Sequence, residues 1–327
     1  EKNDWYVRDS RRILQERAAV GKIDAAARAR LIEIASTNPD ETRRLRAMWT
    51  LHVTGGVPAE LIPKLLADQN EYVRAWAGQL AVGGGRRPLG GWLPEFAAMA
   101  AGDASPGVRL YLASAMQRVP AKDRWTVLEN LTRHAADAND HNLPLMYWYA
   151  AEPLAEDNPE RALAFGLSCG KTVPLVRDFI LRRIGSLKAN SGLPPIVRAL
   201  GKSNDTDEQL TMLKAVRSAL AGQRHVKPPT EWAAVYGKIS GASPDDVKNE
   251  ATAVGVTFGY ASALKSMRKR VTSHDAAPQR RDAPQSLLAP KDPKLVKTLQ
   301  ILLGEPALPD TPPTRVPITH DPLPPPM

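Results

Sequence analysis

The chain holds one cysteine, Cys169, in 327 residues. That excludes an internal disulfide framework, a cysteine-rich zinc site and a CxxCH haem attachment. No apolar run approaches the ~18 residues that span a bilayer. The longest candidate, AVGVTFGYASAL at 253–264, is short and interrupted by glycine. A GxSxG elbow, an HExxH helix and a nucleophile with an evident base are all missing, so catalysis is not expected. The chain opens EKNDWYV, with neither an initiator Met nor a signal-peptide pattern, as expected of a fragment or a processed product.

What is present argues for a folded chain: 43% of the residues are hydrophobic, enough for a real core. Forty-four Lys and Arg against 35 Asp and Glu give a formal charge of +9, which favours acidic partners only if the excess gathers on one face. It is scattered; the nearest basic runs, LKSMRKR at 264–270 and QRR at 279–281, are short. The stretch GLSCGKT at 166–172 looks like the end of a phosphate-binding loop. It has three residues between Gly166 and Gly170 where that loop needs four, and the preceding NPERALAFGLS is spaced as a helix rather than a strand. Gly83, Gly84 and Gly85 likewise read as a connector.

The informative feature is repetition. A short apolar residue, an Arg, and a large apolar residue two positions later recur in YVRDS, RLRAMW, YVRAWA, GVRLYLA, PLMYWYA and LVRDFI. The Arg slot is filled by Arg8, Arg46, Arg74, Arg109, Met146 and Arg177, and less clearly by Lys214, Lys248 and Arg281. These span 273 residues in eight steps, about 34 residues per unit. An acidic residue lies six positions earlier at Asp40, Asp68, Asp103, Asp140 and Asp275. Runs such as AELIPKLLAD before the Asp carry the i, i+3, i+4 stripe of an amphipathic helix.

Each unit therefore reads as a first helix, a tight turn carrying Asp, and a second helix carrying Val-Arg. The Asp suits the opening N–H groups and the dipole of the second helix. The Arg is placed to reach an Asp of its own or the adjacent unit, so that Asp40, Arg46, Asp68, Arg74, Asp103, Arg109, Asp140 and Arg177 form a ladder. Met48, Trp76, Tyr111, Trp148 and Phe179, about 200° around the helix from the Arg, are the expected inter-helix core. Pro58, Pro94, Pro144, Pro174 and Pro194 fall at or near helix starts, where a missing N–H is tolerated. Lys171 takes the turn slot ahead of Arg177, which makes GLSCGKTVP a helix end, a glycine cap and a turn, with Cys169 as a small packing residue.

The pattern resembles HEAT repeats: an all-α solenoid of eight to nine helical hairpins over residues 1–303, with a proline-rich extended tail at 304–327. After Glu305, nine of the last 22 residues are proline. Pro284 falls inside the last expected helix, which makes that unit the weakest. Six segments, NDWYVRDSRRILQERA, AMWTLHVTGG, NEYVRAWAGQLA, SPGVRLYLASAMQRVP, HAADANDHNLPLMYWYAAEPL and VRDFILRRI, together resemble the helical-repeat region of planctomycete-type membrane-bound dehydrogenases. In that family the array lies between a propeller dehydrogenase and a cytochrome c domain. The resemblance implies an extracytoplasmic, membrane-associated or periplasmic scaffold in contact with such flanking domains; without CxxCH or propeller strands here, it carries neither activity nor cofactor onto any residue.

Two other readings stand beside this one. His134, Asp137, Asp140 and His141 are the densest polar constellation, and the i, i+3 step from His134 to Asp137 could bridge a metal along a helix end. The stronger reading is a capped turn. Seven tryptophans and a basic balance also fit nucleic-acid binding along a basic concave face, which would need one continuous cationic stripe. Trp5 and Trp92, near helix starts, are the tryptophans expected at the surface.

Overall fold

The structure, a computed structural model, describes residues 3–83, 89–223 and 226–271. Among them the fold is all-helical, seventeen α-helices with no strand. In chain order these are α1 (Asp4–Ala19), α2 (Ala25–Thr37), α3 (Glu41–Val53), α4 (Ile62–Leu66), α5 (Glu71–Ala81), α6 (Leu93–Gly102), α7 (Pro106–Met116), α8 (Trp125–Leu131) and α9 (Leu143–Ala151). There follow α10 (Leu154–Asp157), α11 (Pro159–Cys169), α12 (Pro174–Gly185), α13 (Leu193–Lys202), α14 (Thr206–Ala219), α15 (Trp232–Ala242), α16 (Asp245–Thr257) and α17 (Ala261–Val271). The last expected unit, with Asp275, Arg281 and Pro284, and the proline-rich tail lie outside the described residues.

The chain divides into two compact units, Glu1–Gly222 with Pro228–Ala251, and Gln223–Lys227 with Thr252–Met327. In the first, consecutive helices pair as hairpins: α2 with α3, α4 with α5, α6 with α7, α8 with α9, α11 with α12 and α13 with α14. The second helices also pack on one another in order, α1, α3, α5, α7, α9, α12, α14. This is the layering of an α-solenoid, in which each hairpin buries its apolar stripe against its neighbours. In the described part of the second unit, Gly259 at φ 66° ends α16, with Phe258 N–H on the Val254 carbonyl and Tyr260 N–H on Gly255, and α17 follows.

Local chemistry sets the helix starts. Asn3, Asp24, Asp40, Asn70, Ser105, Asn158 and Asp205 cap α1, α2, α3, α5, α7, α11 and α14 with their side chains. Proline stands in the first two positions of α6, α7, α9, α11, α12 and α13. Gly170 caps α11, as expected. Its reason is space, since a Cβ there would fall 2.5 Å from Cδ of Arg177. Cys169 is buried and its thiol meets the Gly166 carbonyl at 3.4 Å, the packing role expected of it.

The repeat register differs from expectation in the first hairpin. A turn residue takes the N–H of the cap residue two positions on: Asn38 for Asp40, Asp68 for Asn70, Asp103 for Ser105, Ser203 for Asp205. The guanidinium slot lies four residues after the cap, at Arg44, Arg74 and Arg109. Arg46 is therefore outside the ladder and pairs with Asp4 of α1. Asp40 is a cap, bound by Thr42 and Arg43 N–H, rather than a rung.

The same two-residue slip separates Met48 from the other expected core residues. Val73, Val108 and Val176, one position before the Arg, and Met116 and Ile184, seven after it, are fully buried, as are Ala77, Leu112 and Ile180, three after it. At 100° per residue this stripe includes the Arg itself, so a residue two positions on faces away from it. Trp76, Tyr111 and Phe179 are accordingly half-buried; Trp148, four residues after Pro144, which stands at the slot of α9, is half-buried as well. Met48 is fully buried because its true offset from Arg44 is four. Trp5 is 63% exposed, as expected, whereas Trp92 is buried at 4%, packed in the short 3-10 turn before α6.

Candidate functional site

Rungs of the ladder join successive hairpins. Arg44 pairs with Asp68, Arg74 with Asp103 at 2.6 and 2.9 Å, and Arg109 with Asp137 at 2.7 and 2.5 Å. Each Arg also donates within its own hairpin: Arg44 to the Ala35 carbonyl near the end of α2, Arg74 to the Asp68 and Gln69 carbonyls of its turn, Arg109 to the Asp103 carbonyl. In α9 the position four residues after the Asp140 cap is Pro144, not Met146 as expected: Leu143, Tyr147 and Ala151 form the buried stripe, Met146 lies on the groove side, and this helix offers no guanidinium to a rung. The next hairpin has Lys171 rather than a carboxylate six residues before its Arg177. Arg177 then reaches Asp178 at 3.0 Å and Asp207 at 2.8 Å.

This geometry reassigns the polar constellation at 134–141. Asp137 is the buried rung, gripped by Arg109 and by the Tyr147 hydroxyl at 2.6 Å. Asp140 is a cap, accepting from Asn142 and Leu143 N–H at 2.8 Å each, not a rung. His134 Nε2 lies 2.8 Å from the Ala100 carbonyl, and His141 is exposed. No group of three or more His, Cys, Asp or Glu that could hold a metal occurs among the described residues. Burial pushes the Tyr147 hydroxyl far up, and the bond to Asp137 adds to it.

With the ladder side of the second helices committed to packing, their opposite side carries the aromatic residues. Trp49, Trp76 and Tyr111, from α3, α5 and α7, stand edge to face with centroids 5.1 and 5.4 Å apart. Trp148 and Phe179 continue the contact between α9 and α12 at 5.4 Å. The first three border a groove of about 800 Å³ that α9 closes with Leu145, Met146 and the half-exposed Tyr149. His52, Gln79, Ser114, Arg118 and Asn142 supply its polar atoms, and no Asp or Glu lines it.

Three polar atoms of lining residues, Trp49 Nε1, His52 Nδ1 and Gln79 Oε1, are buried without a hydrogen-bond partner. Each such group costs about 1–3 kcal/mol unless something satisfies it. Gln79 does use its amide, donating to Ser114 Oγ at 3.2 Å. Gly83 lets the groove's end close, since a Cβ there would stand 3.0 Å from the His52 ring and 3.5 Å from the Arg118 guanidinium.

Of the expected site residues, the structure brings Arg74, Asp103, Arg109, Asp68 and Arg177 into the ladder and places Trp76 and Tyr111 in the groove wall. Trp49, His52, Gln79, Ser114, Arg118 and Tyr149 were not expected there. A signal did exist: Trp49, Gln79 and Ser114 each lie five residues after Arg44, Arg74 and Arg109. It becomes visible only once the first hairpin is read two residues earlier.

No protein-family model matches the chain, and no curated protein matches it. A solved structure of an engineered protein is similar at 15% identity over 86% of this chain and 85% of that one, with a TM-score of 0.34. Among the described residues, no helix is long and apolar enough to cross a membrane.

Proposed function

We propose that the chain is a non-catalytic helical-repeat scaffold whose aromatic groove, over α3, α5, α7 and α9, docks a partner polypeptide. One observation carries this reading: α3, α5 and α7 turn Trp49, Trp76 and Tyr111 toward an open apolar groove, while their other side is taken up by the ladder and the core. Exposed apolar concavities with a few placed polar groups are binding sites. The resemblance to the repeat region of membrane-bound dehydrogenases supports an extracytoplasmic setting, with propeller and cytochrome c domains as the neighbours to be held.

Binding of nucleic acid draws less support. It needs free cations in a continuous stripe, and Arg44, Arg74, Arg109 and Arg177 are engaged by carboxylates. A photo-crosslinking residue at Ser114, in the groove, is expected to capture a defined polypeptide, while one at Glu60, on an exposed turn, captures none. Equal labelling from both positions, or retention of DNA on filters that falls steeply with salt, would sink the reading. The purified chain is also expected to show no dehydrogenase turnover and no Soret band.

A further inference from the structure

The ladder register fixes what lies on the free face of the second helices beyond the groove. Five residues after the slot stand Trp49 on α3, Gln79 on α5, Ser114 on α7, Tyr149 on α9, Arg182 on α12 and Lys214 on α14. The first four line the groove. Arg182 lies over the Phe179 ring at 5.7 Å, and Phe179 meets Trp148. In α14 the slot is Gln209, whose amide donates at 2.8 Å to the Ser203 carbonyl six residues earlier, as Arg74 and Arg109 donate to the Asp68 and Asp103 carbonyls. One column thus runs from aromatic and neutral side chains to cationic ones.

The cations of this face are not neutralised within the chain. Arg182 and Lys214, with Arg118 at the groove's end, are exposed, and no carboxylate pairs with them among the described residues. Carboxylates on the same helices are held elsewhere: Asp178 and Asp207 by Arg177, and Glu208 by the Ser203 hydroxyl. No residue two or five after a slot is Asp or Glu, and Arg46, the other cation among them, is held by Asp4. Such a face is complementary to an acidic occupant. Nucleic acid fits it less well, because a strand carries charge at every nucleotide and is bound by cations that track its backbone alongside the stacked bases. Here the rings gather over α3 to α9, and two of the three cations stand beyond them.

We propose, building on the docking reading above, that this face binds a partner segment in which an apolar block adjoins an acidic one, the apolar side chains entering the aromatic groove and the carboxylates lying against Arg118, Arg182 and Lys214. Arginine clusters recognise acidic motifs in this way.

The test presents the full chain to a display library of random peptides. Enriched sequences are expected to carry Asp or Glu beside an apolar stretch. The best of them, labelled with fluorescein, is expected by anisotropy to bind the native chain less tightly as salt rises. It should bind the triple variant Arg118→Glu, Arg182→Glu, Lys214→Glu about tenfold or more weaker. Selection on that variant is expected to replace the enriched acids by Lys and Arg, which a misfolded protein could not do. Enriched peptides without acidic residues, or a variant that binds the same peptide unchanged, overturn the inference and leave polypeptide docking intact. Salt-independent binding by the native chain overturns it too, whether or not the variant folds. An oligo-dT strand that outcompetes every selected peptide overturns both readings. Enrichment of nothing overturns the inference, and docking is then decided by the crosslinks from Ser114.

Discussion

Arg109 reaches from one hairpin to the next and holds Asp137 with two parallel N–H bonds, Nε to Oδ2 at 2.7 Å and Nη2 to Oδ1 at 2.5 Å, both side chains being almost wholly buried. Bidentate geometry of this kind fixes orientation as well as charge balance. Asp137→Ala would strand the guanidinium and the Tyr147 hydroxyl together. The expected loss is about 3–5 kcal/mol in urea denaturation. Replacing both charges, Arg109→Met with Asp137→Leu, should lose less than Asp137→Ala alone, because no unpaired charge remains buried.

The neighbouring rung is expected to make stability depend on acid. Burial by itself would raise the Asp103 pKa, but the hydrogen bonds from Arg74 and from Ser105 N–H outweigh it and hold the carboxyl below its ordinary 3.8. A depressed folded-state pKa contributes stability that is fully present above the unfolded-state value and is lost as pH falls through the folded-state value. The stability difference between the native chain and Asp103→Asn should therefore shrink as a urea titration series is taken from pH 5 to pH 2. A difference that stays constant across that range would contradict it.

Two apolar substitutions separate the core from the groove wall. Met48 is fully buried, so Met48→Ala should cost about 2–5 kcal/mol. Trp76 is half-buried beside the open groove, and Trp76→Ala should cost less, about 1–2 kcal/mol, in proportion to the area it hides. Thermal or urea unfolding of the two variants ranks them directly.

Glycines divide in the same manner. At Gly192 a Cβ would fall 1.7 Å from the Ile184 carbonyl oxygen, a backbone atom that cannot swing aside, next to Ala189 and Asn190 at positive φ. Gly192→Ala should displace the start of α13 and lower stability by several kcal/mol, about the size of a severe core change. Gly102, with nothing within 4 Å of its would-be Cβ, should accept alanine with an effect near zero or a gain of about 0.5 kcal/mol.

Cys169 should be inert. Burial pushes its thiol up to about 12, leaving almost no thiolate at pH 8. Titration with a disulfide reagent should label the native chain slowly and the urea-unfolded chain at once.

Much of the ladder was legible because it is local in sequence. Asp68 and Arg74, or Asp103 and Arg109, are six residues apart in every copy, and a capping turn followed by a helix accounts for that distance. The first hairpin misled because Asp40 and Arg46 have the same spacing, and one hairpin offers no means of telling a cap from a turn residue. Asp137 was hidden for a different reason. It enters the ladder from a 3-10 turn three residues before its cap, Asp140, where Asp68 and Asp103 stand two before theirs, so its partner, 28 residues away, is set by packing.

The aromatic groove was illegible for a third reason. Trp76 and Tyr111 look like core residues, and their type and spacing are equally compatible with either face of the helix. Only the direction of the Arg side chain, inward with its head on the next hairpin's carboxylate, determines which face is covered.

Helix, turn and period were determined by the sequence alone, since caps, prolines and apolar stripes act within a few residues of where they are written. Which carboxylate each arginine holds, which rings meet across α3, α5 and α7, and that those rings border open space were decided only by tertiary structure. Contacts between copies depend on how one helix is rotated against the next, and a two-residue error in register, invisible along the chain, turns a helix by about 200° and exchanges its core for its surface.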